Sequence, residues 1–214
     1  LPAGYGTGGG LHLATDGGII SIEGSTITGN STSGYYAYGG GVFAEAMAGG
    51  SITITNTIIS SNKTFGDKAN GGGVFTGATG SSIVISDTTI SGNSTAGWAS
   101  DGGGISVDTY NSSTTEIANS TLSGNSTTGT HAEGGGVDAR TKVNSTLTIS
   151  STTISSNSTI EDYSDGGGMY AWTRNNSTTT ILASTISDNS TAGNYSSGGG
   201  LFSKAYQNNG GVLE

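Results

Sequence analysis

Apolar and polar residues alternate along most of this chain in short runs. "SITITNTI" at 51–58 and "SSIVISDTTI" at 81–90 set Ile or Val at every second position among Ser and Thr. That is the period of a half-buried strand, not of a helix. The runs recur in blocks. A glycine triplet begins at 8, 39, 71, 102, 134, 166 and 198, at spacings of 31 or 32 residues. An Asn placed three residues after Ile or Leu recurs at Asn30, Asn62, Asn93, Asn125, Asn157 and Asn189, each nine residues before the next triplet. Self-similarity at such a period predicts a solenoid, in which a unit buries its apolar side only by stacking on its neighbours.

Three extended segments fit each unit. After the triplet come Leu11, Val42, Val74, Ile105, Val137, Met169 and Leu201, with small residues such as Ala44, Ala139 and Ala171 two places on. A second segment holds Ile20/Ile22, Ile52/Ile54, Ile83/Ile85 and Leu147/Ile149, and a third holds Ile27, Ile59, Ile90, Leu122, Ile154 and Ile186. Stacked, each set becomes a ladder of like side chains. The pattern predicts an all-β parallel β-helix of about seven coils with three short strands per coil, roughly 30 Å long at about 4.8 Å per coil. The Asn is expected to close the third strand at a turn, taking left-handed backbone and bonding main-chain groups. The triplet supplies positive φ, and the nine-residue interval is the corner between coils.

The motifs stand here as GGGV, GGGI, GGGM or GGGL and as ITGN, ISSN, ISGN, LSGN and ISDN. They resemble the GGA[I/V/L] and F-x-x-N repeats of polymorphic outer-membrane proteins and related autotransporter-passenger-like bacterial surface proteins, with Gly in place of Ala and Ile or Leu in place of Phe. The resemblance covers essentially the whole chain. It implies a right-handed β-helix and a place at the surface of a prokaryotic cell. Residues 1–214 read as a single β-helix domain, a fragment or mature segment of a longer repeat protein, since Leu1 falls inside a repeat and the final "GGVLE" stops where the next I-x-x-N segment is due.

Composition narrows the functional classes. Only 31% of residues are hydrophobic, and 40 are Gly and 66 Ser or Thr, which by itself leans toward disorder until the repeat is recognised. A net charge of -9 disfavours nucleic acid and anionic membranes, both of which call for a dense basic surface. Without Cys there are no disulfides or thiolate metal sites. No apolar stretch approaches the roughly 20 residues of a membrane span.

Twelve of the 16 Asn residues lie in Asn-x-Ser/Thr, where about five are expected from the Ser/Thr content. Asn111, Asn119, Asn144, Asn175, Asn176 and Asn194 fall at loops or corners and are candidate glycosylation sites. The six Asn of the repeat column are read first as an internal hydrogen-bonded ladder, with glycosylation as the alternative. The residues just before successive triplets, Asp101, Glu133 and Asp165, place carboxylates one rung apart, a weak candidate for Ca²⁺; no other cofactor is indicated. On the outward positions of the first strand, Arg140, Lys142, Tyr170, Trp172, Arg174, Phe202, Lys204 and Tyr206 gather four of the six basic residues with four aromatics, a candidate saccharide or assembly face. Asp138 beside Arg140 is the nearest approach to an acid–base pair, while His12 and His131 read as surface residues.

These features point to an extracellular structural rod, a fibre or adhesin stalk that is glycosylated, is not an enzyme and associates with itself head-to-tail or laterally. The alternative is a carbohydrate-binding module or a polysaccharide lyase or hydrolase working through the first-strand face. A regular repeat argues against catalysis, because an active site usually breaks the pattern around it.

Overall fold

The computed structural model describes residues 6–206 and 212–213. Every strand pairing is parallel, and each strand's neighbours are its equivalents one coil before and one coil after. The first sheet runs from Leu11–Asp16 through Val42–Met47, Val74–Thr79, Ile105–Tyr110, Val137–Lys142 and Met169–Arg174 to Leu201–Tyr206. The second runs from Ile19–Glu23 to Val212–Leu213, and the third from Thr26–Thr28 to Thr185–Ser187. The described residues make six full coils and the start of a seventh. The chain is thus a right-handed parallel β-solenoid with the three strand columns that the alternation predicts.

A fourth, shorter column follows the Asn, from Ser31–Ser33 and Lys63–Phe65 to Ser190–Thr191. The corner is therefore partly a strand. Its segments have only two or three residues, mostly Ser and Thr, too few to show an alternation.

The core is the predicted one. Val42, Val74, Ile105, Val137 and Met169 from the first sheet meet Ile52, Ile54, Ile83, Ile85, Leu147 and Ile149 from the second and Ile59, Ile90, Leu122 and Ile154 from the third, almost all with no exposure. Each such aliphatic side chain contributes about 1.5–3 kcal/mol by leaving water.

The repeat Asn fills the remaining interior corner. Asn62, Asn93, Asn125 and Asn157 are fully buried. Each Asn side-chain oxygen accepts from both the backbone N–H and the Nδ2 of the Asn one coil earlier: Asn62 donates both bonds to Asn93 at 2.9 and 3.0 Å, and Asn93 to Asn125 at 3.0 Å. The second Nδ2 hydrogen goes to a strand carbonyl, Ile27 for Asn62 and Ile59 for Asn93. The expectation that these Asn take left-handed backbone is corrected. Positive φ falls one residue earlier, at Gly29, Ser61, Gly92, Gly124, Ser156 and Asp188, and the turn made there swings the Asn side chain inward.

The triplet fits against this ladder. Its first Gly has positive φ, as at Gly102 (φ 67). A Cβ on the second, Gly103, would lie 2.3 Å from the Ser126 carbonyl, and one on the third, Gly104, would lie 3.0 Å from the Asn125 side chain. The triplet thus packs on the Asn that follows it, while the constant nine-residue corner is bridged within itself, Thr64, Thr95, Thr127 and Thr159 each donating a hydroxyl to the carbonyl five residues on.

Hydroxyl ladders repeat the device at other corners. Backbone N–H groups of Thr57, Thr88 and Ser120 donate to the hydroxyls of Thr88, Ser120 and Thr152 in turn, and those of Ser81, Ser113 and Ser145 to Ser113, Ser145 and Ser177. Thus much of the Ser and Thr content is structural.

Candidate functional site on the outer face of the first sheet

Outward positions of the first strand line up across coils. Ser106, Asp138, Tyr170 and Phe202 form one column, Asp108, Arg140, Trp172 and Lys204 the next, and Tyr110, Lys142, Arg174 and Tyr206 the third. The face is less open than alternation alone suggests. Asp138, Tyr170 and Lys142 are buried, while Arg140, Trp172, Arg174, Phe202 and Lys204 are half-buried and Tyr206 is exposed. The corner that leads into each triplet runs alongside and forms a groove with it, lined among others by Tyr38, Asp101, Asp108, Glu133 and Arg140. Farther along, Tyr38 stacks on Phe75 at 4.7 Å and Phe75 on Phe43 at 5.4 Å.

Arg140 is the hub of the groove. Its Nε lies 3.2 Å from the Asp138 carboxylate, and one terminal nitrogen pairs closely with Asp101 and lies 3.8 Å from Glu133. Ser106 donates its hydroxyl to Asp138 at 3.3 Å, and Tyr110 donates to Asp108 at 3.3 Å. The other Asp138 oxygen is buried without a partner. One guanidinium therefore pairs with three carboxylates, and Asp108 lies within its field. Burial pushes Asp138 well above the usual carboxylate range and raises Asp101 and Asp108 despite the nearby Arg140. Burial, then the repulsion of Asp101, brings Glu133 up to about 7. Burial also lowers the Lys142 ammonium and raises the Tyr170 hydroxyl. Such a cluster can exchange a proton near neutrality and present carboxylate, carboxyl and guanidinium groups together.

The sequence marks Asp138 beside Arg140 but misses Asp108, Tyr110 and the convergence of Asp101 and Glu133. Asp101 and Arg140 lie 39 residues apart, more than one coil, so a pattern read column by column does not bring them together. The available signal is the clustering of Asp101, Asp108, Glu133 and Asp138 within two consecutive coils.

Toward the last coils the face becomes cationic and aromatic. Lys142 lies 4.5 Å from the centres of both the Tyr110 and Trp172 rings, Arg174 lies 4.6 Å from that of Trp172, and Lys204 lies 4.6 Å from that of Phe202. Its predicted members are thus brought together, but as a half-covered layer of cations on rings.

The residues before the triplets form another ladder, in which the Asp101 backbone donates to the Asn70 side chain, Glu133 to Asp101 and Ser197 to Asp165. Arg140 occupies the place between Asp101 and Glu133 that their repulsion would offer to a cation. Among the described residues no three His, Asp or Glu side chains converge to hold a metal ion. Of the corner sequons, Asn111, Asn119, Asn144, Asn176 and Asn194 are exposed and Asn175 is half-buried. All but Asn194 have positive φ, and Ser113 and Ser177, the hydroxyl residues of the Asn111 and Asn175 sequons, belong to the hydroxyl ladder, so those two sequons have a structural origin. In the repeat column the interior Asn amides have both hydrogens committed.

Residues 9–209 match the family model described as the right handed beta helix region, and the chain belongs to that family. No curated protein and no solved structure matches it.

Proposed function

We propose that this chain is a length of rigid rod at the outside of a prokaryotic cell, a stalk or fibre element whose work is mechanical rather than catalytic. One observation carries the reading: the interior Asn ladder crosses five successive coil-to-coil steps, Asn30 to Asn189, without a change of partner or register. A structure that commits every coil to the same interior gains stiffness and extensibility by further coils, whether of one chain or of a stacked copy. The likeness of its motifs to bacterial surface repeats supports the location, and the exposed sequons Asn111, Asn119, Asn144, Asn176 and Asn194 offer sites for glycans. Antibody against the purified chain should label intact cells of the source organism, and the chain recovered from their surface should exceed its unmodified mass. Labelling only after lysis would sink the reading.

A second reading is favoured by the groove at Arg140, where three carboxylates meet one guanidinium beside the half-buried ring of Trp172. Such a surface suits a saccharide, held by hydrogen bonds and by stacking on the ring, with Glu133 as a proton donor if the sugar is cleaved. Binding on a glycan array that is lost in Trp172→Ala and in Glu133→Gln supports it. A parent chain that binds no glycan removes it.

A further inference from the structure

Another surface runs the length of the rod at the corner after the fourth strand. Its equivalent positions are Tyr35/Tyr36, Asp67/Lys68, Trp98, His131, Asp162/Tyr163 and Tyr195, one set per described coil. His131 stacks on Tyr163 at 4.9 Å and Tyr163 on Tyr195 at 5.1 Å, with planes 17° and 9° apart. Lys68 lies within 5.6 Å of the rings of Tyr35, Tyr36 and Trp98. The stripe remains open to solvent: Tyr35 is 51% exposed, Phe65 46%, Trp98 47%, Tyr163 49% and Tyr195 80%. Contiguous exposure of this kind marks an interaction surface.

The rings choose the partner. In the stacked part their faces cover one another and their edges point outward, so a sugar finds few free faces. A second rod, however, repeats at the same axial spacing, and its ring edges can interdigitate with these over every coil. Net charge favours one direction. An antiparallel two-fold arrangement centred between the third and fourth sets brings Tyr35 opposite Tyr195, Phe65 opposite Ile160, Trp98 opposite His131, and the Asp67/Lys68 set opposite Glu161 and Asp162, where the Lys68 ammonium meets two carboxylates and Asp67 adds one like charge. A parallel arrangement would oppose Lys68 to Lys68 and Glu161 to Glu161. Among the described residues neither Lys68 nor Glu161 has an ion-pair partner in its own chain. At about 150–250 Å² per aromatic side chain, the exposed parts of the five aromatics amount to roughly 500 Å². Ile160, His131 and the Lys68 stem bring this toward the roughly 800 Å² per partner of a standard interface.

We infer that two copies of this chain pair side by side and antiparallel through this corner, an isologous interface with Trp98 and His131 at its centre. The inference rests on the rod reading and adds the surface and the direction of its lateral contact. Sedimentation equilibrium of the whole chain should show a monomer–dimer equilibrium. Trp98→Ser should weaken it at least about tenfold in Kd, as expected of a central aromatic anchor. Lys68→Glu should also weaken it, and combination with Glu161→Lys should restore it. These are surface positions, and circular dichroism checks that the fold persists. A parent chain that remains monomeric, a dimer indifferent to Trp98→Ser, or a charge swap that fails to restore pairing overturns the proposal. Small-angle scattering of the monomer tests the rod shape separately.

Discussion

Inside the coils the repeat Asn and the corner hydroxyls are answered by their own equivalents one coil away; around Arg140, on the outside of the first sheet, groups of different kinds are drawn together from different columns. Asn62, Asn93 and Asn125 satisfy one another by repetition, so burial costs little once the stack exists. Asp101, Glu133, Asp138 and Arg140 occur once each, and their balance depends on a single guanidinium. Repetition solves the problem of burying polar groups in a chain that is only 31% hydrophobic. Departure from repetition is where specific chemistry can be held.

The sharpest way to break the contrast is at the ladder itself. Asn93→Ala removes the oxygen that accepts two bonds from Asn62 and the donor to Ile59, leaving several buried groups unpaired. At about 1–3 kcal/mol for each, the loss should be about 5 kcal/mol by urea denaturation. Asn111→Ala, at an exposed turn, should cost less than about 1 kcal/mol. If the two cost the same, the ladder is not what stabilises the interior.

Outside, Arg140→Met strands the carboxylates and should cost about 4 kcal/mol at neutral pH, the range for breaking a buried ion pair. Because Asp101 and Asp138 are already held above the normal range, the loss should shrink toward pH 5 as they take up protons. No comparable pH dependence is expected of Asn93→Ala.

Glycine substitutions sharpen the comparison in backbone terms. Gly103→Ala drives a Cβ to 2.3 Å from the Ser126 carbonyl, whereas Gly124→Ala, at a left-handed position (φ 62), meets nothing within 4 Å. The first should cost about 3 kcal/mol or more and the second about 1 kcal/mol, the conformational part alone. Equal melting shifts would contradict the close approach.

A pH-dependent effect smaller than those of Asn93, Arg140 and Gly103 belongs to Glu133. Its folded-state pKa stands near 7 against an ordinary 4.5, so the folded chain binds the proton more tightly than the unfolded one. Its contribution to stability is fully present below about pH 4.5 and is lost as pH rises through 7, by about 2–3 kcal/mol. Glu133→Gln should flatten that part of the stability-against-pH profile. An unchanged slope would place the titration elsewhere.

The interior was legible because it repeats. Ile52/Ile54 and Ile83/Ile85 announce a strand by alternation, and Asn62, Asn93 and Asn125 announce a ladder by their interval from the triplets. The turn was misassigned by one residue even though Gly29, Gly92 and Gly124 stand directly before the Asn, because Ser61, Ser156 and Asp188 occupy the same place in other coils and hide the rule. The fourth strand is too short to alternate. The Arg140 cluster escaped because the corner holding Asp101 lies beside the outer face of the first sheet, a packing that no single column encodes.

The coils act as interchangeable units in one register. Deleting residues 94–125 joins Asn93 to Ser126 and removes one coil while keeping every remaining Asn rung. The shortened chain should keep its sheet signal by circular dichroism and unfold cooperatively, and small-angle scattering should find it shorter by about 4.8 Å with the same cross-section. A shortened chain that collapses or unfolds without cooperativity would contradict the account.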